Sequence, residues 1–141
     1  MSPVSTQKHA DTLILAARIL LMALFLIFGW QKLTHFGFTI GYMAHTGAPM
    51  PTLAALISTV MELGVGLALL SGAFTRPLAP LMCLYTLGTG LIGHHYWTMS
   101  GMERFENEIN FYKNLSIMGG LLLLSLTGAG RYSIDRLLHR A

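Results

Sequence analysis

Cys83 is the one cysteine in 141 residues, so the chain can form no intramolecular disulfide and carries no CxxC thiol relay. Charge is scarce as well: Lys and Arg number 9 and Asp and Glu 6, together 11% of the sequence, against 53% hydrophobic residues. Soluble domains carry about 25% charged residues, and the mean hydropathy here is +0.57. These shortages exclude an ordinary water-soluble domain of this length. They also leave no stretch of chain for a soluble catalytic domain, a nucleotide fold or a strand-rich module, and no nucleic-acid partner is expected.

What the chain has in quantity is apolar helix-length sequence. Crossing the hydrocarbon takes roughly 20 mostly apolar residues, and four stretches qualify, at about 12–32, 52–71, 77–97 and 109–127. The expected architecture is all-α: one domain over residues 1–141, an integral membrane four-helix bundle with a short C-terminal interfacial helix. The first stretch contains Arg18 and ends in "GWQKL" without a small-residue cleavage pattern, so it is expected to remain as an anchor. Pro51 and Pro77 suit first-turn positions, where a missing amide proton costs little. "GAGRYS" breaks the fourth stretch, and Ser133 is placed to cap a terminal helix from Ile134 to Arg140. Small residues (Gly64 and Gly66, Gly88, Gly90 and Gly93, Gly119 and Gly120) recur where helices in lipid need close approach.

Basic residues near span ends set orientation, because they are retained on the cytoplasmic side. Lys8, Arg18, Arg76, Arg131, Arg136 and Arg140 fall on one side, and Lys32, Arg104 and Lys113 on the other. The expectation is a multi-pass protein of a bacterial inner membrane with both termini cytoplasmic and Glu103, Glu106 and Glu108 outside.

Polar residues at depth carry the most information, since a charge at the bilayer centre costs roughly 2.5–3.5 kcal/mol even on the lenient insertion scale. At 1.5 Å per residue, Glu62 falls about 15 Å from the outer edge and Arg18 about 9 Å from the inner edge. The two are therefore expected to pair. Ser58, Glu62 and Gly66 share one helix face, which points the carboxylate into the bundle. A structural ion pair and a proton-carrying or ligand-binding carboxylate are both open readings.

Lys32, His94, His95, Asn110, Lys113 and Asn114 fall in the outer third. Asn110, Lys113 and Asn114 repeat at i, i+3, i+4, while Gly90, His94 and Trp97 share a face of the third span from which His95 diverges. His94 is expected to face inward beside Lys113 and Asn114, with Lys32, His95 and Asn110 as secondary candidates. The competing explanation is interfacial anchoring by Trp30, Tyr96 and Trp97 with snorkelling lysines. Adjacent histidines diverge on a helix, so the pair is poorly spaced for a metal. A transmembrane haem needs histidines on facing helices, which the other spans lack. No metal site and no haem are expected.

"ARILLMALFLIFGWQKL", "GAPMPTLAALISTVMELGVGLALLSGAFTRPLA", "YTLGTGLIGHHYW" and "INFYKNLSIMGGLLLLSLTGAGRYSID" together resemble the DoxX family of small four-helix membrane proteins, and the GHHYW element is similar to its YphA-like inner-membrane branch. Arg18, Gly29, Lys32, Glu62, Gly72, Arg76, Lys113, Asn114 and Gly120 match recurring family positions. The resemblance implies association with quinol oxidases, thiosulfate:quinone oxidoreductases or oxidative-stress complexes. This chain has neither a thiosulfate domain nor paired cysteines. Two functions follow as expectations. One is a redox-associated membrane subunit, accessory to a quinone-linked oxidoreductase, that holds a quinone-like ligand with Lys113, Asn114 or His94 and exchanges protons through Glu62, with a membrane or periplasmic redox partner. The other is a non-enzymatic scaffold or small-solute carrier. Membrane lipid is a partner in both, and a homo-oligomer is compatible with both.

Overall fold

The computed structural model describes residues 3–139 and side chains from Gln7 onward. Five helices and a short sixth account for most of it: α1 (Pro3–Thr34), α2 (Phe36–His45), α3 (Pro51–Ser71), α4 (Thr75–Gly93), α5 (Gly101–Thr127) and α6 (Ile134–Leu138). No strand occurs among the described residues. Gln7–Thr34, Pro51–Ser71 and Gly101–Thr127 are each long and apolar enough to cross a membrane. The expected third span is not among them: its helix, α4, has 19 residues, about 28 Å at 1.5 Å per residue, and packs alongside the other three in the bundle. Leu20, Leu84, Leu123 and Leu126 are all more than half exposed, as side chains that meet lipid rather than water must be.

The core side of α1 is a narrow seam. Asp11, Arg18, Met22, Phe25 and Gly29 are buried, and Lys32 continues the alternating three- and four-residue spacing that keeps one helical stripe against a neighbour. Ala55, Ser58, Glu62, Gly66 and Leu69 make the matching stripe on α3. On the second pair of helices, Ala79, Met82, Cys83, Thr86 and Gly90 of α4 face Asn114, Leu121 and Leu124 of α5. Met22, Phe25, Leu69, Met82, Leu121 and Leu124 close the apolar centre between the two pairs.

Three details depart from the sequence reading. The outer connection contains a ten-residue helix, α2, with Phe38 and Tyr42 exposed on it. The helix of the third span stops at Gly93: His94 takes φ −125° and ψ 42°, and the chain continues as a single 3-10 turn at Tyr96–Thr98. In the middle of α3, Val60–Val65 forms a π turn. Pro51 is a first-turn residue and Ser133 caps α6 by accepting from Arg136 N, both as expected. Arg140 lies outside the described residues.

Candidate functional site

Glu62 sits in the π turn of α3, buried, with both carboxylate oxygens engaged. Lys32 Nζ donates to Oε2 at 2.7 Å and the Tyr85 hydroxyl donates to Oε1 at 2.6 Å. The three residues come from α1, α3 and α4, so one carboxylate ties both helix pairs together. Lys32 is the exposed member, with its side chain 21% accessible against 9% for Glu62, and its ammonium lies 5.8 Å from the centre of the Phe28 ring.

Local structure explains how these groups meet. A β-carbon on Gly29 would lie 2.8 Å from Leu63 N and 3.0 Å from the Glu62 carbonyl carbon, so the α1 backbone rests directly on the π turn. Only glycine permits that approach. Lys32 lies three residues beyond Gly29 on the same face and therefore reaches Glu62. π turns are rare and are often found at functional sites.

The expected pairing of Arg18 with Glu62 is not made. Because Glu62 packs at Gly29, Arg18 is 11 residues away along α1, about 16 Å of helix, whereas Lys32 is one turn away. Arg18 instead binds the chain at the end of the bundle that holds both termini. Its Nη2 donates to Leu70 O at 2.6 Å, and its Nη1 donates to Tyr132 O at 3.0 Å and to Ala129 O. These carbonyls belong to the last turn of α3 and the segment after α5, where helix ends leave oxygens without intrahelical partners. Beside this junction the Asp135 carboxylate accepts from Phe74 N at 2.7 Å and Thr75 N at 2.9 Å, and Asp11 accepts from Arg131 N at 3.0 Å. Burial opposes ionisation of Asp135, but the donors of Thr75 and Phe74 outweigh it and hold the carboxyl below the usual range. That carboxylate also compensates the left-handed φ of 51° at Phe74.

His94, Lys113 and Asn114, expected together, lie in one neighbourhood, where His94 feels the charges of Lys113 and Lys32, but no hydrogen bond joins them. His94 Nδ1–H donates to Asn107 Oδ1 at 2.9 Å, Lys113 donates to Asn110 Oδ1 on its own helix at 2.7 Å, and Asn114 Nδ2 reaches Thr86 O and Thr89 Oγ1 at 3.3 and 3.2 Å. The face assigned to His94 assumed that the helix runs through Trp97, and the break after Gly93 removes that assumption. Gly90 does face Asn114, whose Nδ2 would lie 3.6 Å from its β-carbon. His95 turns to Ile92 O at 2.7 Å. Tyr96 and Trp97 pack edge-on against Phe111, with ring centres 5.6 and 5.7 Å apart, so "GHHYW" docks the end of α4 on α5. Among the described residues no group of three metal-ligating side chains forms.

Tyr85 is the member that sequence reasoning missed. It stands inside an apolar run eight residues before the end of α4, and a buried phenol needs a hydrogen-bond partner. That need was the available signal.

A helical membrane bundle stitched by buried polar contacts is the class that this fold and site define. Residues 13–95 match DoxX, and the chain belongs to the DoxX family. It is 53% identical over 124 residues to inner membrane protein YphA of Escherichia coli, covering 88% of this chain and 89% of that protein. It is 42% identical over 134 residues to inner membrane protein YqjF of the same organism, covering 95% and 98%. A shorter likeness, 48% over 42 residues, covers 30% of this chain and 14% of the ER-derived vesicles protein ERV29 of Saccharomyces cerevisiae. No solved structure matches.

Proposed function

We propose that the chain is an inner-membrane, redox-associated subunit whose Lys32, Glu62 and Tyr85 hold the carbonyl head of a quinone-like ligand and supply its protons. Both termini are then cytoplasmic, the side favoured by Lys8, Arg76, Arg131 and Arg136. The observation that carries this reading is the buried carboxylate of Glu62 with an ammonium and a phenol on its two oxygens. An ionisable residue inside a membrane span points to function, and a carboxylate between two donors can take up a proton and release either donor to a carbonyl oxygen. Reduction of a quinone consumes two electrons and two protons. The electrons come from a partner protein, because this chain carries no thiol pair. Lys32, with 21% of its side chain accessible, is the more exposed partner of the ion pair. The names of the two Escherichia coli relatives support the location.

A second reading, a non-enzymatic scaffold or small-solute carrier, is favoured by the completeness of the same network: every charged group in it already has a partner, as in a structural clasp. Quinone content separates the two. Protein purified in mild detergent should retain quinone that organic extraction recovers, and Glu62→Gln and Tyr85→Phe should each lose it while remaining helical. Wild-type protein that neither retains quinone nor binds added ubiquinone-1 would sink the redox reading and leave the clasp.

A further inference from the structure

A cavity of about 400 Å³ opens at the end of the bundle opposite the termini, where separate parts of the chain meet. Tyr42 and His45 contribute from α2, His95 from the segment after α4, Ser100 from the start of α5, and Glu103 and Asn107 from its first turns. None of the Lys32, Glu62 and Tyr85 network lines it. Its volume lies within the range of about 300–1,000 Å³ usual for small-molecule sites, but those are mostly apolar. This one is polar, and it holds a carboxylate and an imidazole that can accept.

Ionised Glu103 can only accept. His95 commits its Nδ1–H to Ile92 O at 2.7 Å, so Nε2 of the neutral ring carries the lone pair. Asn107 is partly committed, with Nδ2 donating to Glu103 O and Oδ1 accepting from His94, each at 2.9 Å. The Ser100 side chain does not cap the helix that it precedes. A carboxylate, an imidazole lone pair and hydroxyl oxygens around one space suit a cation with several N–H donors, which is the chemistry of a primary ammonium.

The surroundings indicate what carries that ammonium. Met102 and Phe105, on either side of Glu103, are 70% and 59% exposed, and Trp97 is 51% exposed with its ring centre 6.3 Å from that of His95. Exposed aromatic and apolar side chains around a polar opening mark the head-group level of a bilayer.

We propose that this cavity is a lipid site that recognises the primary ammonium of an ethanolamine phospholipid head group through Glu103 and His95. A choline head group has no N–H to donate, and a glycerol head group has no cation. The test uses the full chain in detergent micelles with Trp30→Phe, so that Trp97 alone reports by fluorescence. Phosphatidylethanolamine should bind at least about tenfold more tightly than phosphatidylcholine or phosphatidylglycerol, equivalent to about 1.4 kcal/mol. Glu103→Gln should erase that preference, whereas Glu106→Gln should keep it. Equal binding of the three lipids, no saturable response to any of them, or a preference that survives Glu103→Gln would each overturn the proposal. Free phosphoethanolamine binding as tightly as the lipid would assign the cavity to a soluble amine and overturn the lipid source.

Discussion

Tyr85 on α4 donates a 2.6 Å hydrogen bond to Glu62 on α3, and this bond joins the α1–α3 pair to the α4 helix through a charged acceptor. Tyr85→Phe keeps the ring and removes only the donor. Hydrogen bonds to charged groups contribute about 1.5–3 kcal/mol, so this variant should unfold more readily in detergent by an amount in that range. A thermal or denaturant transition identical to that of the wild type would show that the bond contributes nothing.

Lys32 and Glu62 should be energetically coupled, and Arg18 and Glu62 should not. Removing one partner of a buried pair can cost about 3–5 kcal/mol; the partial exposure of Lys32 brings the expected cost below that. Lys32→Met with Glu62→Gln should destabilise less than the sum of the single changes. Arg18→Met with Glu62→Gln should be additive to within about 0.5 kcal/mol. A double-mutant cycle in which Arg18 couples to Glu62 and Lys32 does not would contradict the geometry.

Gly29→Ala brings a methyl group to 2.8 Å from Leu63 N, a contact with backbone that no rotamer can relieve. Overpacking of this kind costs about 1–3 kcal/mol. Gly41→Ala, inside α2 where a β-carbon meets nothing within 4 Å, is the control and should leave the transition unchanged or raise it, since alanine favours helix over glycine by about 0.5–1 kcal/mol. The Gly29 variant should also weaken Lys32 coupling to Glu62, because it separates the two helices at that turn.

The Asp135 carboxyl is held below the usual carboxylate range by its backbone donors. A depressed folded value means that the contribution is complete above the unfolded carboxyl value of about 3.9 and disappears as pH falls through the lower folded value. Wild-type protein should therefore lose stability relative to Asp135→Asn only on acidification below about pH 4, and the gap between them should be constant at neutral pH. Unfolding midpoints followed from pH 7 to pH 2.5 measure this directly. A gap that closes between pH 7 and pH 5 would assign the effect to another group.

Orientation can be read by maleimide labelling in a Cys83→Ser background. Ser100→Cys and His139→Cys lie at opposite ends of the bundle, and intact spheroplasts should label the first and spare the second. The reverse pattern would invert the proposed topology.

Much of this fold was legible in the sequence because it depends on depth and periodicity. The three long apolar stretches, the first-turn proline Pro51 and the Ser133 cap are all local signals. The partners of the buried charges were not legible. Counting residues locates Glu62 and Arg18 along the membrane normal but says nothing about which neighbouring helix each one meets, and the close approach at Gly29 decides that. The regular spacing from Arg18 through Met22, Phe25 and Gly29 to Lys32 did contain the answer, since it puts Lys32 and Arg18 on one stripe at opposite ends. The hydrogen-bond partners of His94 were not legible for a different reason: two residues of non-helical backbone redirect every side chain after Gly93, and no proline in that stretch marks the break.

The three carbonyls that surround Arg18 stand 52, 111 and 114 residues further along the chain, which sets an order for biogenesis. While the first helices enter the membrane, the guanidinium has none of its final acceptors and must stay hydrated near the surface. Leu70 O becomes available with the end of α3, and Ala129 O and Tyr132 O only after α5 has been synthesised. Completion of α5 therefore supplies the last two acceptors of Arg18, so this tie closes only when the rest of the bundle has been made, after Lys32 and Gly29 have already met α3.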